Sequence, residues 1–459
     1  MKLKYCKKIF IFIIIVLVLV GIYIIYFKDN SKQETTNSLN KEQKISRNIS
    51  IGITDFDTLN PILTKNLEIQ HITKLVYESL IYITPDFNTK PCIAEECSKI
   101  NNKTYLVTLN PNKKWQNGEK ITIEDIEFTI NKIKTEDSIY RENVKIIEKI
   151  QKIDENTLKI ILTEGVDFFE YYLSFPILEE STYNSEIPMG SGEFKIEKNQ
   201  ENEIIIKKDE LNLTIKQYKT TTELYNAFTR GKVDLIITGN TNYEKDIGNI
   251  GFEETKIIGR EFYYISAETI TDKKTRKTIE SAINKEKINY DLYNQKYHIA
   301  MSPLDYGSYL NQENTQGNWA TENIKQSLKL AYSKEQELLA QKIKQELSQQ
   351  NIKITLLPYK NQKADLILNI ETTPLKPLLH QYFQNQEQAN QIKKLYNIEN
   401  KTKLKEAYGQ ILQNYYEEQP FISLYFSTYL VLHSDKLKGN FNGNWFNMFY
   451  NVESWYKEE

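Results

Sequence analysis

The sequence predicts an α/β protein of two or three lobes held behind a single apolar segment. Three observations carry this expectation. Residues 9–27 form an unbroken apolar run of 19 residues without a charge. About 415 residues follow a polar stretch, more than one ordinary core serves, so two or three lobes are expected. Residues 327–332, 333–349 and 352–357 read as strand, capped helix and strand, a βαβ unit that forces parallel, right-handed pairing.

In chain order, Lys2, Lys4, Lys7 and Lys8 precede the apolar run. At about 1.5 Å per residue, 19 residues just cross a hydrocarbon core of roughly 30 Å. The basic flank predicts an N-in, C-out orientation. Tyr23, Tyr26 and Lys28 resemble an interfacial belt, and no small-residue cleavage site follows. An uncleaved anchor is expected, with a cleaved signal peptide as the alternative. Cys6 lies before the run and is not placed for lipid attachment. Residues 29–44 are polar and unpatterned, a flexible spacer.

Residues 47–53 read as a short strand, and Thr58-Leu59-Asn60-Pro61 as a turn. Residues 69–80 carry Ile72, Leu75, Val76 and Leu80 at helical spacing. In residues 103–133, Tyr105, Val107 and Leu109 alternate with polar neighbours as in a half-buried strand. Asn110-Pro111-Asn112 and Asn117-Gly118 then turn the chain on either side of Trp115. Thr122, three residues before Asp125, caps a helix whose apolar face is Ile123, Ile126, Ile130 and Ile133. Residues 146–153 and 156–162 read as strands, and residues 188–194 as a glycine-containing turn. Residues 204–206 and 233–237 read as strands on either side of a helix at 221–230. A strand at 260–267 leads into a helix at 273–284. In the βαβ unit Ser333 and Gln336 make a capping box, and Leu338, Leu339, Ile343 and Leu347 are expected as the apolar face. A strand at 364–370, a helix at 404–416 and an apolar strand at 421–432 complete the series.

Chemistry-bearing motifs are missing. There is no GxSxG elbow, no phosphate loop and no GxGxxG. His71, His298, His380 and His433 are scattered, without metal-ligand spacing, so no metal or cofactor is expected. Asp125 is better explained by helix capping than by catalysis. The formal charge is −2, and leaving out the four N-terminal lysines gives 55 basic against 61 acidic residues, which offers nucleic acid no electrostatic footing. Cys92 and Cys97 are close enough in sequence to bridge only if the chain turns between them, and both the disulfide and the free thiols stay open. The 31 tyrosines suit an amphipathic recognition surface. The pattern is that of a binding protein and not an enzyme.

Several segments, taken in order, resemble the extracellular solute-binding proteins of family 5, the oligopeptide- and dipeptide-binding components of ABC importers. Residues 58–61 resemble a TLNP turn, residues 75–80 a VYEGL helix end, and residues 91–96 a P-x-LAES segment. Residues 105–126 resemble the strand–W–dG–TAeDv pattern, and residues 190–194 loosely a GTGPY turn. Residues 227–234 resemble A-l-x-G-x-VD, and residues 273–287 a vR-Ai-xAidre-i helix with Arg276, Ala282, Ile283 and Glu286 in register.

The resemblance implies a two-lobed periplasmic-binding-protein-like fold of class II with an accessory subdomain, preceded by a transmembrane helix. Lobe I would comprise residues 45–82, 184–259 and 432–459, and the accessory subdomain residues 83–183. Residues 260–431 would form lobe II. Residues 1–8 would be cytoplasmic, 9–27 the anchor and 28–44 the spacer. The chain would cross between lobes near Gly259 and near Leu432. It further implies a monomer on the extracytoplasmic side of the membrane that captures peptides and delivers them to ABC permease subunits. A peptide- or pheromone-sensing receptor with the same fold is the alternative. By position, the ligand-binding residues would be Lys65, Asn66, Leu67, Tyr264, Ile370, Glu371, Thr372 and Thr373. The chain departs from the family at residues 369–377, NIETTPLKP, where a tryptophan and an amine-binding aspartate are usual. Glu371 is the one anion there that could take that aspartate's part.

Overall fold

Two long antiparallel strands, Phe252–Ala267 and Phe421–Ser434, run through the middle of the protein and organise everything else. The computed structural model describes residues 45–200, 202–248, 251–312, 322–358 and 363–459. The expected cytoplasmic segment, anchor and spacer lie outside the described residues. Among the described residues no helix is long and apolar enough to cross a membrane.

The chain divides into two units. In one, Ile45 and Ser46 pair antiparallel with Glu458 and Lys457. The other spans residues 47–456. Its largest sheet has 11 strands among the described residues. From one edge the order is Ile354–Pro358, Leu328–Tyr332, Leu366–Thr372, then the two long strands. Leu235–Thr238, Asn48–Thr54, Leu211–Tyr218, Glu203–Lys208 and Lys195–Gln200 continue to the other edge, and off this path the short strand His298–Ile299 pairs with the second long strand.

The long strands lose register between Ile258 and Phe262. Gly259 sits in that break, and a Cβ there would lie 2.6 Å from Ser427 Oγ and 2.9 Å from Ser427 O, so only glycine fits. Before the break, Ile257 and its cross-strand neighbourhood pack with Ile49, Ile51 and Val431. Beyond it, Phe262 and Tyr264 face one core with Phe421 and Phe426, while Tyr263 and Ile265 face another with Ile422 and Leu424. On the returning strand the break falls at Ser427.

The βαβ unit forms as expected. Leu328–Tyr332 and Ile354–Pro358 pair in parallel, from Leu328 opposite Ile354 to Tyr332 opposite Pro358. The Ser333–Gln336 capping box opens a 3₁₀ turn that passes into the helix Glu337–Gln349. One expectation fails here. Leu339, Ile343 and Leu347 are buried at i, i+4 and i+8, but Leu338 is 68% exposed, because it lies about 100° around the helix from that row.

A separate four-stranded sheet, ordered Ala94–Asn101, Thr104–Leu109, Thr157–Leu162 and Ile147–Lys152, carries the helix Ile123–Thr135. Tyr105, Val107 and Leu109 are its buried alternate residues. Asp125 ties this region together. Its Oδ2 accepts from Thr122 N at 2.9 Å, Thr122 Oγ1 at 2.8 Å and Trp115 Nε1 at 3.4 Å, and its Oδ1 accepts from Glu180 N at 3.3 Å. The motif that stands out most in the sequence is therefore a structural node.

Cys92 and Cys97 are free. Cys97 lies within the strand Ala94–Asn101 and Cys92 in the bend before it.

Candidate ligand cleft

The helix Leu67–Val76 supplies one wall of a cavity of about 530 Å³. Leu67, Gln70, His71 and Lys74 all line it, spaced i, i+3, i+4 and i+7, which is one face of a helix. Asn66 fixes where that helix begins, since its Oδ1 accepts the Ile69 N–H at 2.9 Å. Asp57 holds the preceding turn by accepting from Thr64 Oγ1 and Lys65 N, both at 2.6 Å, which keeps its carboxyl below the usual range although partial burial pulls the other way. A second wall comes from Ile139, Tyr140, Tyr171 and Tyr172. Arg260, Pro374, Leu375, Lys376, Tyr429, Trp445 and Phe446 also line it.

Arg260 follows Gly259 in the register break of the two long strands. Its Nε and Nη2 both donate to Thr373 O at 3.3 Å, its own carbonyl accepts Thr373 N at 2.7 Å, and its guanidinium stands 4.5 Å over the Trp445 ring. Lys376 donates to the Tyr172 hydroxyl and lies 3.9 Å over that ring. Lys74 donates to Gln70 O at 3.2 Å and stands 4.6 Å from the Phe446 ring centre. Burial pushes the Lys74 ammonium down to about 8, and does the same to Lys376 against a smaller opposing pull from Asp167. His71 is buried, and the loss of water holds its imidazole neutral.

Of the residues picked from the sequence, Leu67 lines this cavity, 37% exposed. Asn66 is spent on the cap, and Lys65 pairs with Asp137 on the surface. Ile370, Glu371 and Thr372 lie opposite Tyr263, Phe262 and Glu261 on the neighbouring long strand. Thr373 is buried, held by Arg260. Tyr264 is buried in an aromatic core and donates to Glu371 Oε1 at 2.6 Å, so Glu371 is not a free anion. These residues stand next to the cavity lining, which begins at Pro374. Lys74, Arg260, Lys376, Trp445 and Phe446 were missed. The signal for Lys74 was its place at i+7 from Leu67, i+4 from Gln70 and i+3 from His71, on the polar-leaning side of a helix whose other side buries Ile69, Ile72 and Val76.

Residues 88–392 match the model of the bacterial extracellular solute-binding proteins, family 5, middle part. The chain belongs to this family. Its members are binding proteins and not enzymes. A relative named only as a binding protein, from Brucella melitensis, is 25% identical over 253 residues, 46% of this chain and 41% of that protein. The match thus spans about two-fifths of the length of such curated relatives. Among solved structures, a nickel ABC transporter protein of Bacillus halodurans superposes with TM-score 0.75 at 14% identity, over 87% of this chain and 98% of that one. A peptide-binding protein, AppA, from Clostridium difficile superposes with TM-score 0.65 at 20% identity, over 90% and 100%. The oligopeptide-binding AppA of Bacillus subtilis, solved with a nonapeptide, gives TM-score 0.55 at 17% identity, over 91% and 100%. At these identities the likeness is one of fold, the two-lobed α/β architecture.

Proposed function

We propose that this protein is a membrane-anchored, extracytoplasmic solute-binding protein that captures peptides in the cleft between its lobes and hands them to an ABC-type importer. The observation that carries the reading is the cavity itself. It is about 530 Å³, its walls draw on chain segments on either side of residue 259, and it is lined by aromatic rings together with polar and charged groups. The size suits a few residues of peptide, and neighbours of the same fold are described as peptide-binding. The strand ending in Ile370, Glu371 and Thr372 leads directly into the lining at Pro374, so an extended ligand can lie alongside it. Closure about the Gly259–Ser427 crossing would then bury the ligand.

The test is a thermal-shift screen of the full-length protein in detergent with pools of di- to octapeptides. A ligand at a hundred times its Kd stabilises the bound state by about 2.7 kcal/mol and must raise the melting temperature. No shift with any pool overturns the peptide reading. Binding that persists while deletion of the gene leaves peptide uptake unchanged would turn the assignment to the sensing role.

A further inference from the structure

Three cations line the cleft and none is bonded to a carboxylate, although Asp167 acts on Lys376 from further away. Lys74 comes from the first wall, Arg260 from the strand crossing and Lys376 from the loop after Thr372. Their partners are carbonyl oxygens, one hydroxyl and aromatic faces, and among the described residues none of the three pairs with a carboxylate. The one carboxylate on the wall is Glu142, and Lys145 already holds it. Uncompensated charge is costly next to a low-dielectric wall. A wall with this surplus is completed by a ligand that brings acceptors and negative charge.

We propose that the solute of this cleft is an anion, whose carboxylate or phosphate group sits among Lys74, Arg260 and Lys376 while an apolar part rests on Leu67, Leu375 and Phe446. The proposal rests on reading the cleft as the solute site. Within the peptide reading it names the anchor: a carboxylate of the ligand, not its amine. The complementary anchor is missing, since Glu371 is bonded to the Tyr264 hydroxyl and stands outside the cavity lining.

The test is calorimetric titration of the full-length protein in detergent with a di- to octapeptide pool in three forms: unmodified, N-acetylated and C-amidated. Citrate and inorganic phosphate are titrated in parallel. The proposal expects N-acetylation to leave affinity within about twofold and amidation to weaken it at least tenfold. Lys376→Met should weaken the unmodified pool at least fivefold and barely change what remains with the amidated pool, the signature of a direct pair. Arg260→Gln gives an independent second variant, and the circular-dichroism melt confirms that both fold. If acetylation abolishes binding and amidation does not, the anion proposal is wrong while the peptide reading stands. If citrate or phosphate binds in a Lys376-dependent way and no peptide form does, the anion proposal stands and the peptide reading is wrong. If no probe binds, both are wrong.

Discussion

Replacing Lys74 by methionine should make the empty protein more stable and the loaded one weaker. Lys74 is held against the Phe446 ring and Gln70 O without a carboxylate, and burial lowers its ammonium from its ordinary 10.5 to about 8. At about 1.4 kcal/mol per tenfold change in proton affinity, that fall puts roughly 3 kcal/mol of penalty on the charged form. Cavity water and the cation–π contact with Phe446 return part of it, so a net gain of about 1–2 kcal/mol is expected for the methionine variant at pH 7. The pH dependence has a definite sign. Below pH 8 the lysine is charged in both folded and unfolded chains, and the folded state carries the whole penalty. Between about pH 8 and 10.5 the folded chain has shed the proton that the unfolded chain still holds, so wild-type stability rises with pH. The advantage of Lys74→Met should therefore be full at pH 7 and nearly gone by pH 10. Urea unfolding of the full-length protein, followed by tryptophan fluorescence, reads this as a midpoint raised by about 0.3–0.6 M at pH 7. A variant that is destabilised by more than 1 kcal/mol at pH 7, or whose offset does not change with pH, would refute the argument that Lys74 is an unpaired cation kept for a ligand.

Two further outcomes follow from the fold. Asp125→Ala removes a capping box and strands the Trp115 and Glu180 N–H donors, and should cost about 2–4 kcal/mol, read as an early loss of the Ile123–Thr135 region in hydrogen exchange; a cost under 0.5 kcal/mol would show that the node is decorative. The Cys92 and Cys97 thiols are pushed up to about 12, by burial first and by nearby carboxylates second, so maleimide labelling at pH 7.5 should be at least tenfold slower than for the urea-unfolded chain; equal rates would contradict their burial.

Much of the scaffold was legible because its signals are local. The capping pairs Thr122–Asp125 and Ser333–Gln336 lie within one turn of chain, and the alternation of Tyr105, Val107 and Leu109 lies within one strand. Leu338 misled because an adjacent leucine is indistinguishable by composition, and only the angle around the helix separates it from Leu339. Tyr264 was harder still. Its strand is buried on both faces, Phe262 and Tyr264 in one core and Tyr263 and Ile265 in another, so alternation gives no sign of which residues meet solvent.

The cleft was illegible for a different reason. Its lining comes from residues 67–74, 139–143, 171–174, 260, 374–376, 429 and 445–446, segments that only the strand crossing brings together. No period in the chain links Lys74 to Lys376, 302 residues apart. Sequence neighbours mislead here, since Glu261 follows Arg260 and Glu78 lies four residues after Lys74, yet Glu78 pairs with Lys113 and Glu261 accepts from the Tyr263 hydroxyl. The same logic explains why the family motif pointed to Ile370–Thr373 and stopped short. Those residues are committed to the sheet and to Arg260, and the side chains left free to meet a solute begin where the sheet ends, at Pro374. The lining thus mixes regular and irregular structure: Lys74 lies in the helix Leu67–Val76, Arg260 in the strand Phe252–Ala267 and Lys376 past the strand that ends at Thr372, so no single local signal marks the three together.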